Sequence, residues 1–147
     1  MYRAVLALSV LAVSALPAAA QVKLNWTTTE TDNGANLAFG TEDSSQLLFV
    51  CERGKPLALV NVSGAKGLKG DDPAKVIFTA GKLKKELTGK AVAADTSIDV
   101  EAGSKLEDVK ALLASGKTLT VEVKGAKQQI PLAGAPEAYV QFEAFCK

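Results

Sequence analysis

The chain has 147 residues, with 17 Lys/Arg against 16 Asp/Glu and no histidine. That near balance argues against nonspecific binding to nucleic acid or to an anionic membrane, which needs a net basic face, and leaves room for a local basic patch. Without an imidazole, Ser-His-Asp and Cys-His catalysis and His-ligated haem are excluded, and two cysteines alone cannot build the usual zinc sites.

Taken in chain order, Met1-Tyr2-Arg3 is a short basic start. Residues 4–16 are an unbroken apolar or small run, closed by Pro17-Ala18-Ala19-Ala20. This is the layout of a secretory signal peptide cut between Ala20 and Gln21. The run of 13 residues falls short of the roughly 20 that cross a bilayer. No second run follows, so no transmembrane segment is expected after signal cleavage. The expectation is therefore a leader, 1–20, and a single β-rich domain, 21–147, exported to the bacterial periplasm or beyond. The domain would have 127 residues, enough for a packed core. Arg3 is the only charge in the leader, so 16 basic and 16 acidic side chains remain.

The first two thirds of the domain read as β. Residues 24–31 are Thr-rich and carry the only Trp, Trp26. Asn33-Gly34 is a hairpin signal, and 36–40 pairs back. Strands are expected at 46–51 and 57–62, separated by the turn cluster 52–56. Residues 63–73 form the longest irregular stretch, with three glycines, lysines and the pair Asp71-Asp72. Further strands are expected at 75–79, 82–87, 90–94 and 98–101. A strand every ten residues or so, with turn residues between, suggests a meander or sandwich.

The hydrophobic period then changes. Ser104-Lys105-Leu106-Glu107 has the form of a capping box, and Leu106, Val109, Leu112 and Leu113 follow at helical spacing. Gly116 suits the C-terminal end, so a helix is predicted over 105–115. Gly116-Lys117-Thr118 is not a P-loop, because Ala111 stands where its first glycine is needed. Residues 118–124 alternate as a strand with one wet face, and 128–132 pairs with it. A second helix is predicted from Pro136. Its stripe of Tyr139, Phe142 and Cys146 faces inward.

Cys51 and Cys146 are the only thiols, 95 positions apart. In an oxidising compartment an even pair outside a C-x-x-C motif reads as a structural disulfide. It would staple the last helix to an early strand. The fold expected is thus mainly β, an antiparallel sandwich or small barrel with two short helices, the C-terminal one tied by the disulfide.

Candidate chemistry is thin. Lys82, Lys84, Lys85 and Lys90 form the densest basic cluster, suited to an anionic group or partner, or to plain edge protection. Asp71 and Asp72 could contribute to a calcium site, or form a solvated turn. Glu30 with Asp32, and Asp99 with Glu101, lie two apart, a spacing that would present paired carboxylates as a glycosidase needs them and that wet strand faces also show. No cofactor is implied.

Cys51 at the end of Leu48-Phe49-Val50-Cys51, and Ile130-Pro131-Leu132-Ala133-Gly134 running into a helix, carry a resemblance. Together with the leader they resemble small secreted β-rich bacterial proteins and the invasion-associated locus B group. The resemblance implies a periplasmic β-rich fold with a small helix after the Pro/Gly step, and brings no catalytic residue with it. The function expected is a non-catalytic periplasmic binding module for a protein or a cell-envelope component. The alternatives are a carboxylate enzyme acting on envelope polysaccharide and an inhibitor of a lysozyme-type enzyme.

Overall fold

Buried and open positions alternate along most of the strands, so that one face of each turns inward, and nine strands share one sheet. The structure, a computed structural model, describes residues 22–147. The expected signal peptide and its cleavage point lie outside the described residues. The strands are β1 (Asn25–Thr31), β2 (Gly34–Gly40), β3 (Ser45–Glu52), β4 (Leu57–Val62), β5 (Pro73–Ala80), β6 (Leu83–Ala93), β7 (Ile98–Lys105), β8 (Thr118–Val123) and β9 (Ala126–Pro131). Helix α1 (Leu106–Leu113) follows β7, and α2 (Ala135–Cys146) ends the chain. The sheet order is β1-β2-β3-β4-β7-β6-β5-β8-β9, antiparallel throughout.

The sheet curls into a half-barrel, so the expected sandwich or barrel takes the single-sheet form. Its concave face holds Leu37, Leu47, Phe49, Val60, Val76, Phe78, Val100, Leu119 and Ile130, all essentially inaccessible to water. Phe49 on β3 and Phe78 on β5 lie with ring centroids 6.2 Å apart, although three strands separate them in the sheet. Only curling brings them together. The two edges also approach: the Trp26 indole N–H on β1 donates to the Pro131 carbonyl at the end of β9, at 2.8 Å.

The turn chemistry differs in detail from the sequence signals. The first hairpin turns at Asp32-Asn33, with Thr31 opposite Gly34. Gly34 is needed because β3 passes close by; a Cβ there would be driven into the Cys51 carbonyl. The β8–β9 turn is Lys124-Gly125, both at positive φ (48° and 80°), the backbone form that matches strand twist in a two-residue hairpin. The two strands predicted at 82–87 and 90–94 are one continuous β6.

The expected capping box at Ser104 does not form. Ser104 is a buried strand residue opposite Ala58, its hydroxyl donates to the Lys105 carbonyl, and the helix starts at Leu106 without a side-chain cap. The β4–β7 ladder extends through Lys105 and competes successfully for the backbone that the box would have used. Helix α1 ends at Leu113, with Gly116 at φ 100° beyond it.

Helix α2 covers β1 and β2. The Thr28 hydroxyl donates to the Ala138 carbonyl at 2.6 Å, and Phe142 is fully buried. Cys146 bonds to Cys51 of β3, as the thiol pair predicted. The Tyr139 hydroxyl donates to the Leu106 carbonyl at 3.0 Å, joining α2 to the start of α1. Burial first and the nearby Glu143 carboxylate second push the Tyr139 phenol up to about 12. Its folded-state value is raised, so this contribution to stability is complete below the ordinary phenol range near 10 and lost as pH rises toward 12. In residues 22–147 Tyr139 is the sole tyrosine. Phenolate absorbance should therefore report its ionisation directly, and a midpoint at 10 would mean the hydroxyl is solvated.

Candidate functional site

One mouth of the half-barrel is roofed by the loop 63–72, which joins β4 to β5. Its glycines permit two sharp bends, Gly64 and Gly67 both lying at positive φ. The loop is fastened along its length. Ser63 N–H donates to Gln46 O at 3.1 Å and Ala65 N–H to Ile98 O at 2.7 Å. Gly64 N–H donates to the Asp99 carboxylate at 3.3 Å, which also accepts the Ser97 hydroxyl at 3.1 Å. Asp71 N–H donates to Ala91 O, and Ala91 N–H to Asp72 O. The Lys124 ammonium, projected from the β8–β9 turn, donates to the Gly67 carbonyl. Ala65 and Leu68 pack down onto the core.

Two hollows flank this roof and share Val123. The larger, about 440 Å³, is lined by Leu68, Pro73, Ile77 and Val123, with Asp72, Lys75, Glu122 and Lys124 at its rim. The smaller, about 250 Å³, has Val62, Val121 and Val123 as its floor. Its only charged lining groups are Lys66 and Lys127, with Ser63 and Gln128 as neutral polar neighbours. The Gln128 amide donates to the Gln46 side-chain oxygen at 2.6 Å, tying β9 to β3 across the same mouth. Lys75 at the larger hollow sits 2.8 Å from Glu86. Their hydrogen bond first and their mutual charge second raise the lysine and lower the carboxylate.

Of the residues singled out by sequence, Asp71 and Asp72 lie in this roof. Asp71 takes positive φ (69°), and one Asp72 carboxylate oxygen accepts the Lys69 N–H at 2.8 Å. They close a turn at the rim of the larger hollow. Among the described residues, no three His, Cys, Asp or Glu side chains gather as metal ligands. The lysine cluster is spread out. Lys82 is in the turn before β6. Lys84 and Lys90 project from the convex face, and Lys85 faces the other way and pairs with Asp108 of α1 at 3.0 Å. The first acid pair is similarly divided, since Asp32 is in a turn while Glu30 sits 3.6 Å from Arg53. In the second pair, Asp99 is engaged by the roof while Glu101 stands on the outer face of β7.

Lys66, Lys124 and Lys127 were not singled out by sequence reasoning. Lys-Gly between two alternating strands marks a hairpin turn, but nothing local says that its side chain reaches a loop 57 positions away. No family model, no curated protein and no solved structure matches the chain.

Proposed function

We propose that this chain is a non-catalytic binding module of the periplasm or secreted space, taking up a cell-envelope component or a protein segment at the roofed mouth of its half-barrel. The observation that carries this reading is the smaller hollow: an apolar floor whose charged rim is lysine alone. Such a site suits a group that places an acidic head beside an apolar portion, because the floor removes apolar surface from water while the ammonium groups meet the charge. The roof is tied down at both ends, so the mouth is preorganised and loses little freedom on binding.

The reading is tested by co-sedimentation of the secreted form with isolated envelope and with vesicles of phosphatidylglycerol or phosphatidylcholine, together with capture from periplasmic extract. Retention is expected on acid-bearing material. The Lys66→Glu/Lys127→Glu variant, altered only at exposed positions, should lose most of it at an unchanged melting temperature. If the wild-type protein retains none of these materials, or the variant retains them equally, the reading is wrong.

A further inference from the structure

Lys124 holds a backbone form to which a lysine is poorly suited. It opens the β8–β9 turn at φ 48°, in the left-handed region. A two-residue turn of this kind favours Asn-Gly or Gly-Gly, because a Cβ crowds the backbone there. Among the described residues, the only other non-glycine residue at positive φ is Asp71, in the roof. Backbone strain of this sort gathers at ligand clamps and switch regions. What the lysine provides is reach. Its ammonium donates to the Gly67 carbonyl. Its stem runs beside Gly67, where an added Cβ would meet Nζ at 3.6 Å and Cδ at 3.8 Å.

This tie stands between the two hollows. Lys66, on one side of Gly67, lines the smaller; Leu68, on the other side, lines the larger. Lys124 lines the larger, and Val123 beside it belongs to both. The ends of the roof are fastened separately, at Ser63 and Ala65 and at Asp71 and Asp72. Between them, the span 66–70 makes no other hydrogen bond to the rest of the described chain, and the bonds between Lys69 and Asp72 stay within the loop. Apart from the packing of Leu68, one ammonium–carbonyl bond keeps the middle of the roof closed. An anion can outcompete that bond, because a carboxylate or phosphate oxygen holds an ammonium more strongly than a neutral carbonyl does. Among the described residues, Lys124 has no carboxylate within 4.0 Å, although Asp72 and Glu122 line the same hollow.

We propose, resting on the roofed mouth as the binding site, that the Lys124–Gly67 tie is a latch released by an anion. Its ligand is a single-chain amphiphile, an unbranched alkyl chain ending in a carboxylate or phosphate, lying across Val123 in both hollows. The charges set its direction. The rim of the smaller hollow, Lys66 and Lys127, takes the anionic head, and the carboxylates of Asp72 and Glu122 keep that head out of the larger. Lys124 turns from the Gly67 carbonyl to the head, and the span 66–68 lifts between its fixed ends. The chain then passes onto Leu68, Pro73 and Ile77. The smaller hollow, about 250 Å³ over three valines, holds the head and few methylenes, so the chain needs the larger, about 440 Å³, to leave water. The pass between them is now filled by the methylene stem of Lys124, which has the cross-section of one alkyl chain. A neutral ligand must break the tie without replacing it, and binds less well.

Isothermal titration of the mature protein with decanoate, decyl phosphate, octanoate and decanol, each below its aggregation concentration, tests this. At least one ten-carbon anion should bind about tenfold more tightly than decanol. Decanoate should exceed octanoate by on the order of tenfold, each further buried methylene being worth about fourfold. Lys124→Asn places at this turn a residue that it favours, too short to reach Gly67. The variant should melt at the same temperature or higher, bind the anions several-fold more weakly and bind decanol several-fold more tightly. Simple charge attraction without a latch would leave decanol unaffected. A melting temperature lowered by several degrees in Lys124→Asn would make the lysine a structural tie and overturn the proposal. So would decanol binding unchanged by the substitution, wild-type protein that binds anions and decanol equally, or no binding of any probe. Retention on envelope and its loss in Lys66→Glu/Lys127→Glu are read separately, so failure of the latch is distinguishable from failure of the site.

Discussion

Replacing both cysteines, as Cys51→Ser/Cys146→Ser, is expected to lower the unfolding free energy by about 4 kcal/mol and the melting temperature by roughly 15 °C. The bridge joins residues 95 positions apart. Closing a loop of that length removes much freedom from the unfolded chain, the main source of stabilisation in the chain-entropy account. In the folded protein both cysteines are buried, at 2% and 3% exposure. The last turn of α2 would lose its covalent tie but keep non-covalent ones: Gly54 N–H donates to Cys146 O at 2.8 Å, and Phe142 stays in the core. The double variant should therefore still fold, with α2 detaching first on heating. Urea melts of the two proteins, with amide exchange on α2, measure this. A loss under 1 kcal/mol would mean that packing alone holds the helix and the bridge is incidental.

The same bridge shows what a sequence can and cannot disclose. Its pairing was readable because only two thiols exist and the inward stripe of α2 carries one of them. Most strand positions were readable, from alternation or from short apolar runs bounded by turn residues, both local properties; the break expected within β6 is absent. The order of strands was not readable. β4 pairs with β7, with the whole β5–β6 hairpin intervening in sequence, and nothing in either strand's own residues names its neighbour. Ser104 shows local and non-local preferences in conflict, with the ladder partner Ala58 prevailing over the capping box. For the lysine cluster the reason was already in the sequence, since Lys84 and Lys85 are adjacent and so must face opposite sides of a strand. The roofed mouth stayed hidden because it is assembled from a loop, a distant turn and a strand edge. Lys124 contributes only through the reach of its side chain to Gly67.

Curling gives rise to the second large expected effect. Phe49→Ala and Phe78→Ala should each destabilise the protein by about 3–5 kcal/mol, as fully buried aromatic truncations do. Both side chains are at most 1% exposed. Their rings are tilted by 40° at 6.2 Å, within the range where aromatic pairs attract beyond simple burial. The strands bearing them share no ladder, so the pair closes the sheet across its concave side and its energy belongs to tertiary curvature. The double variant should therefore lose less than the two single variants combined, by about 1 kcal/mol, the contact having been lost once already. A flat or loosely curved sheet would instead give additive losses. Urea melts of the four proteins form a complete cycle, and strict additivity would mean that β3 and β5 do not depend on one another, with the interior held by the helices alone.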